Sequence, residues 1–149
     1  MTSGIHSRRL GRDDIDAARR VFRLMAAAFE ETFESLSDSY LENLLGRPDF
    51  WMIAAFAGDE PVGGLTAHTL PMTHSESAEI FIYDVAVHAG FRRKGVGRLL
   101  LEALRTLAAG ANVRELFVAA DVEDVHALDF YRALDGHEAP VSIFTFPGK

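Results

Sequence analysis

Residues 79–98 read EIFIYDVAVHAGFRRKGVGR. The first part, Glu79 to Val87, is almost unbroken in apolar and β-prone residues. That is the pattern of a central strand covered on both faces. Asp84 is the charge inside it. On simple alternation it shares a face with Ile80, Ile82 and Ala86, so it should interrupt an apolar surface. A loop follows from His88 to Lys94, and then a helix from Val96 to Ala108. Leu99, Leu100, Ala103, Leu104 and Leu107 form its expected inward stripe, and Gly110 ends it. Gly95 and Gly97 remove side chains where that helix begins, so backbone N–H groups can face an anion, helped by the partial positive charge of the helix start. Arg92, Arg93, Lys94 and Arg98 surround the same point. Strand, glycine-containing basic loop and helix together predict a pyrophosphate cradle. The loop lacks both GxxxxGK[ST] and GxGxxG, which excludes a P-loop and a dinucleotide fingerprint.

Working toward the N-terminus, Val62 to Leu70 and Phe50 to Ala57 read as a hairpin turned at Gly58-Asp59-Glu60-Pro61. Gly63-Gly64 suggests a bulge or a close backbone approach. A short helix opens at Ser37 or Asp38, carries Tyr40, Leu41, Leu44 and Leu45, and stops at Gly46 and Pro48, with Gly46 expected in a left-handed cap. A longer helix, capped by Asp13 or Asp14, carries Ile15, Ala18, Phe22, Met25, Ala26 and Phe29 on one stripe. Ile5 to Leu10 is a first strand. Working toward the C-terminus, Leu116 to Ala120 reads as a buried strand. A helix begins at Glu123 or Asp124 and runs to about Leu134 before Gly136, and Val141 to Phe146 is a final strand. The order predicts one α/β domain over residues 1–149 with a mixed sheet, parallel around Glu79–Ala120.

The 149 residues include no cysteine, which excludes disulfides, thiolate metal sites and a cysteine nucleophile. The net charge of −7 argues against duplex nucleic acid and suits a cationic ligand. No apolar run is long enough to span a bilayer, and the first residues lack a secretory h-region, so a cytoplasmic location and no membrane partner are expected. No HExxH pattern or helical pair of histidines is present, so no metal is expected. A serine hydrolase elbow, GxSxG, is also absent.

The run Asp84-Val85-Ala86-Val87, then Arg92, Gly95 and Gly97, then Leu99-Leu100, resembles the acetyl-CoA motif of the GNAT superfamily of N-acetyltransferases. Leu10-Gly11, Asp13-Asp14, the stretch from Ser37 to Leu45, Val62-Gly63-Gly64-Leu65 and Arg92-Arg93 further resemble the aminoglycoside 3-N-acetyltransferases of the gentamicin and fortimicin type. One stretch, Asp121 to His126, departs from the acidic loop of that group. The resemblance implies a mostly antiparallel sheet flanked by helices, with two strands splayed around acetyl-CoA. It implies that the backbone of Val85, Ala86 and Val87 holds the acetyl and pantetheine arm. The backbone of Arg93, Lys94, Gly95, Val96, Gly97 and Arg98, with Arg92 beside it, would hold the pyrophosphate. Ala127-Leu128-Asp129-Phe130-Tyr131, followed by Leu134 and Gly136, resembles the second motif, in which the Tyr131 hydroxyl would protonate the leaving thiolate.

Acyl transfer to an amine needs the amine neutral, so a carboxylate must accept its proton. Asp84 is the first candidate, with a structural ion pair as its alternative role. Glu79 is the second, and it could equally be an exposed strand-end charge. Asp121, Glu123 and Asp124 follow a strand's C-terminal end, where further substrate amines could bind, although Asp124 could simply cap a helix. Glu30, Glu31 and Glu34 could border the acceptor cleft, but read more simply as a solvated face. The expected activity is therefore acetylation of an aminoglycoside amino group. Acetylation of another polyamine or a peptide amine, and a non-catalytic acyl-CoA-sensing module, stand as alternatives. A homodimer using Phe144, Phe146 and the final strand is a further expectation.

Overall fold

A computed structural model describes residues 4–149, which form two compact units divided after Ala119. In the first unit, β1 (Ile5–Arg9) leads to α1 (Ile15–Ala28), α2 (Asp38–Leu45), β2 (Phe50–Ala57), β3 (Glu60–Pro71), β4 (Ala78–Val87), α3 (Val96–Ala108) and β5 (Val113–Val118). The five strands lie in chain order across one sheet. The first three pairings are antiparallel and β4–β5 is parallel.

The alternation of β2 explains why its sequence is apolar throughout. Trp51, Ile53 and Ala55 pack with Val96, Leu100, Leu104 and Ala108 of α3. Phe50, Met52, Ala54 and Phe56 pack with Ala18, Val21 and Met25 of α1 and with Leu41 and Leu45 of α2. The sheet is thus sandwiched, and each of its central strands needs apolar residues on both faces. On α3 the buried ridge is Val96, Leu100, Leu104 and Ala108, spaced by four, whereas Leu107 is exposed.

Gly63 and Gly64 are close approaches, one to each face. A Cβ on Gly63 would lie 2.9 Å from Val96 Cγ1 and 3.3 Å from Leu100 Cδ1. A Cβ on Gly64 would lie 2.5 Å from Val21 Cγ1 and 2.9 Å from Met25 Sδ. One extra residue, Val62, also bulges β3 against β2, since Ala55 faces Gly63 while Phe56 faces Pro61.

Several local expectations change. Asp14 precedes α1, but its carboxylate turns back to accept from Gly11 N at 2.7 Å and from Arg8 at 3.0 Å rather than capping the helix. Ser37 does cap α2, accepting from Tyr40 N. Gly46 adopts a right-handed conformation with φ −81°. Its missing side chain instead makes room for the Arg12 guanidinium, which a Cβ would strike. The strand after α3 starts at Val113, three residues before Leu116, and it is a half-exposed edge rather than a buried strand.

The second unit holds α4 (Val125–Ala133). Asp124 is its cap, accepting from Ala127 N at 3.1 Å. Asp135 takes the left-handed conformation at its end with φ 64°, and Gly136 N donates to Tyr131 O at 3.0 Å. The segment Val141 to Phe146 forms no strand.

Among the described residues, no helix is long and apolar enough to cross a membrane.

Candidate active site

β4 is bulged at its middle. Thr66 of β3 faces Asp84 while Ala67 faces Ile82, so Tyr83 is the extra residue. The bulge resets the alternation. Ile80 and Ile82 pack on the α3 face, and so do Val85 and Val87 beyond it, whereas Ala86 packs on the α1 face. Asp84 therefore does not share a face with Ile80 and Ile82. It lines a cleft on the α1 side with Phe22, Met25, Phe29, Glu31 and Thr66, and the cleft encloses ≈ 300 Å³.

Tyr40, His68 and Tyr83 also line this cleft. The Tyr83 and His68 rings meet edge to face at 6.1 Å. Asp84 makes no hydrogen bond or ion pair among the described residues. Its carboxyl is held above the ordinary range, first by burial and second by the negative charge of Glu31. A half-buried carboxylate facing a second carboxylate, with aromatic walls around both, suits an ammonium ligand. Glu31 comes within reach because the loop after α1 turns sharply at Glu30, whose φ is 57°.

The bulge also coincides with the opening of the sheet. The β4–β5 ladder runs only from Ala78 to Ile82, so Tyr83–Val87 pair with no strand on that side among the described residues. His88 N donates to Val62 O of β3 at 2.8 Å. By the two-residue alternation of an antiparallel ladder, the amides of Val85 and Val87 face away from β3, into the gap.

The basic loop lies just beyond. A 3-10 turn, Ala89–Phe91, is followed by Arg93 at φ 62° and Gly95 at φ 81°, both left-handed. Glycine at 95 suits that conformation, which a side chain would strain. Leu99 is the first residue of α3 to donate to the preceding turn, to Gly95 O at 3.0 Å. The amides of Val96, Gly97 and Arg98 are thus the unpaired donors of a helix start. Arg92, Arg93, Lys94 and Arg98 are exposed and form no ion pair among the described residues, although Lys94 sits over the Phe91 ring at 5.3 Å. Unneutralised cations beside free amides fit a phosphate-bearing ligand.

Of the remaining sequence candidates, one lies elsewhere in the first unit and the others lie in the second unit. Glu79 stands at the start of β4, opposite Leu70 and Glu115 and outside the Asp84 cleft. Asp121, Glu123, Asp124 and Tyr131 belong to the second unit. Asp121 Oδ1 accepts from Glu123 N at 2.9 Å, and Asp124 is occupied as the α4 cap. Among the described residues there is no cluster of three metal-ligating side chains.

The profile of the acetyltransferase (GNAT) family matches residues 18–135. The chain belongs to that family. Among solved structures, this GNAT chain is similar to the aminoglycoside acetyltransferase meta-AAC0020 from an uncultured soil metagenomic sample, determined in complex with sisomicin. The two are 32% identical with a TM-score of 0.94, over 99% of this chain and 98% of that one. It is also similar to the aminoglycoside acetyltransferase HMB0005, again from a soil metagenomic sample. That likeness is 30% identity and a TM-score of 0.92, over 97% of this chain and 99% of the other. The more distant AAC(6')-Iy, determined with a bisubstrate analogue of coenzyme A and acetylneamine, shares the fold at 18% identity, with a TM-score of 0.82 and coverage of 97% and 99%. No curated protein matches the sequence.

Proposed function

We propose that this GNAT chain transfers the acetyl group of acetyl-CoA to an amino group of an aminoglycoside, at the 3-N position by its resemblance to the gentamicin and fortimicin enzymes. The observation that carries this reading is the cleft in which Asp84 and Glu31 face one another between aromatic walls. Whole-length similarity to a sisomicin-bound acetyltransferase supports it. Acetyl-CoA supplies an acyl thioester when bound.

The residues present suit it. In this proposal the amides of Val96, Gly97 and Arg98 with the Arg92, Arg93 and Lys94 cations bind the pyrophosphate. The backbone of Val85–Val87 along the open edge of β4 holds the pantetheine arm, and an amide there stabilises charge developing on the acyl oxygen. Asp84 accepts a proton from the substrate ammonium, which frees the neutral amine to attack, and its raised pKa suits that work. Glu31 and the aromatic rings hold the polycationic acceptor. Tyr131 donates a proton to the departing sulfur, a role taken from the family resemblance. Glu79, Asp121 and Glu123 remain proposed contacts for further amines. The Asp124 carboxylate would have to leave its cap to join them.

Thiol release from acetyl-CoA with gentamicin, sisomicin, spermidine and short peptides tests the reading. Turnover with the aminoglycosides well above spermidine and peptides is the expected result. Equal or greater turnover with peptides would overturn the substrate assignment. Arg93→Glu combined with Arg98→Glu is expected to weaken coenzyme A binding at least tenfold by calorimetry, since each charge-assisted phosphate contact contributes roughly 1.5–3 kcal/mol. The melting temperature without ligand should stay close to wild type, because both side chains are exposed and unpaired.

A further inference from the structure

Among the described residues, Thr66 is the only polar or charged one that is buried, at 8% exposure. It stands opposite Met52 of β2, which packs under α1, so it belongs to the α1 face of the sheet. Its partner on the other side is Asp84 of β4. The bulge makes that pairing. Without the extra residue, the register from Ala67 and Ile82 would set Thr66 against Tyr83. Residues directly opposite in an antiparallel pair carry their Cβ atoms roughly 4.5–5.5 Å apart on one face. Both side chains line the same cleft, and every residue of that cleft belongs to the first unit.

The Thr66 hydroxyl has no structural use. Oγ1 makes no hydrogen bond among the described residues, and none of their polar side-chain atoms is sealed from solvent without a partner. The oxygen therefore opens to the cleft. Valine has the same shape and suits a strand as well. It would also avoid the cost of holding a lone hydroxyl in mostly apolar surroundings. A hydroxyl retained there, beside a carboxylate that is also unpaired, has its use in the cleft.

We propose that Thr66 Oγ1 and the Asp84 carboxylate hold the reacting nitrogen between them. This role rests on the acetyl-transfer reading above. The substrate ammonium donates one N–H to Asp84 and a second to Thr66 Oγ1, which has lone pairs to accept it. As Asp84 takes its proton, an N–H bond breaks, a carboxyl O–H forms and the electron pair stays on nitrogen. The neutral amine has then lost its ion pair. Thr66 still accepts an N–H, which keeps the nitrogen in the cleft while its electron pair swings toward the gap beside Val85–Val87. The hydroxyl thus acts on the step after substrate binding, and its loss belongs on kcat and not on coenzyme A affinity.

Steady-state kinetics of Thr66→Val and Thr66→Ser test this, with the fastest amine among gentamicin, sisomicin, spermidine and short peptides. Thr66→Val should lower kcat about tenfold or more, the usual weight of a hydrogen bond to a charged group. Coenzyme A binding by calorimetry should stay at the wild-type level. The melting temperature without ligand should equal or exceed that of wild type, because a methyl group replaces a hydroxyl that has no partner in the fold. Thr66→Ser should keep most of the wild-type kcat. A Thr66→Val enzyme with wild-type kcat overturns the proposal, and so does a Thr66→Ser enzyme as slow as Thr66→Val. Should Thr66→Val not fold, Thr66→Ala set against Thr66→Ser decides, since both lose the methyl and only serine keeps the oxygen. Equal kcat in that pair overturns the role of Thr66, and a faster serine enzyme upholds it. A wild type that acetylates no amine removes the acetyl-transfer reading and this role with it. A working wild type beside an unaffected Thr66→Val removes the role of Thr66 alone.

Discussion

Asp84→Asn lowers kcat for aminoglycoside acetylation by about 10²–10⁴-fold, the usual contribution of a positioned base, while coenzyme A binding stays at the wild-type level. A variant that keeps most of its kcat would remove Asp84 from the chemistry. The same substitution raises stability, and the sign follows from the raised pKa. The folded chain holds this proton to higher pH than the unfolded chain does. Stability therefore falls as pH rises through the unfolded value, about 3.9 for an aspartate, and on to the folded value. Asparagine escapes that loss, so it should melt higher than wild type at neutral pH, with the difference fading as pH drops below about 4. Glu31→Gln gives a companion measurement. Glu31 is the second cause of the raised pKa, so the acid limb of the wild-type rate profile should move to lower pH in that variant.

Leu100→Ala is expected to cost about 2–5 kcal/mol and to lower the melting temperature by roughly 4–20 °C. Leu100 is fully buried on the ridge by which α3 sits on the sheet. The loss should appear equally in denaturant unfolding, with the slope unchanged. Coenzyme A should restore part of the stability by mass action if α3 presents the cradle. A melting temperature within a degree or two of wild type would mean that the sheet closes around the missing methyl groups.

Much of the arrangement could be read from residue order. The boundaries of α3 and the end of β4 follow from a change of apolar period on either side of a basic, glycine-containing loop. The loop itself was legible because cations and glycines at a helix start have a physical use together. The bulge at Tyr83 was not legible, since strict alternation assumes one residue per partner, and inserting one reverses every face beyond it. That is why Asp84 stands with Ala86 and not with Ile82. Glu31 reads from sequence as a possible border of the acceptor cleft but more simply as solvated surface, and the structure places it in the lining of the Asp84 cleft. The available signal was two acidic residues directly after Phe29, at the mouth of an apolar stripe. The segment from Val141 to Phe146 shows the opposite error. Its composition foretells a strand, but composition carries no information on where the pairing partner lies.

The glycine pair of β3 gives the two ligands of the proposed reaction separate mechanical controls. Gly63 sets how near α3 stands to the sheet, and Gly64 does the same for α1. A single methyl at one position should lift one helix and spare the other. Gly63→Ala is thus expected to raise KM for acetyl-CoA selectively, and Gly64→Ala to raise KM for the amine selectively, as steady-state kinetics would show. Two neighbouring residues act like separate shims under opposite sides of one plate, so donor and acceptor affinity could drift independently in descendants of this sequence.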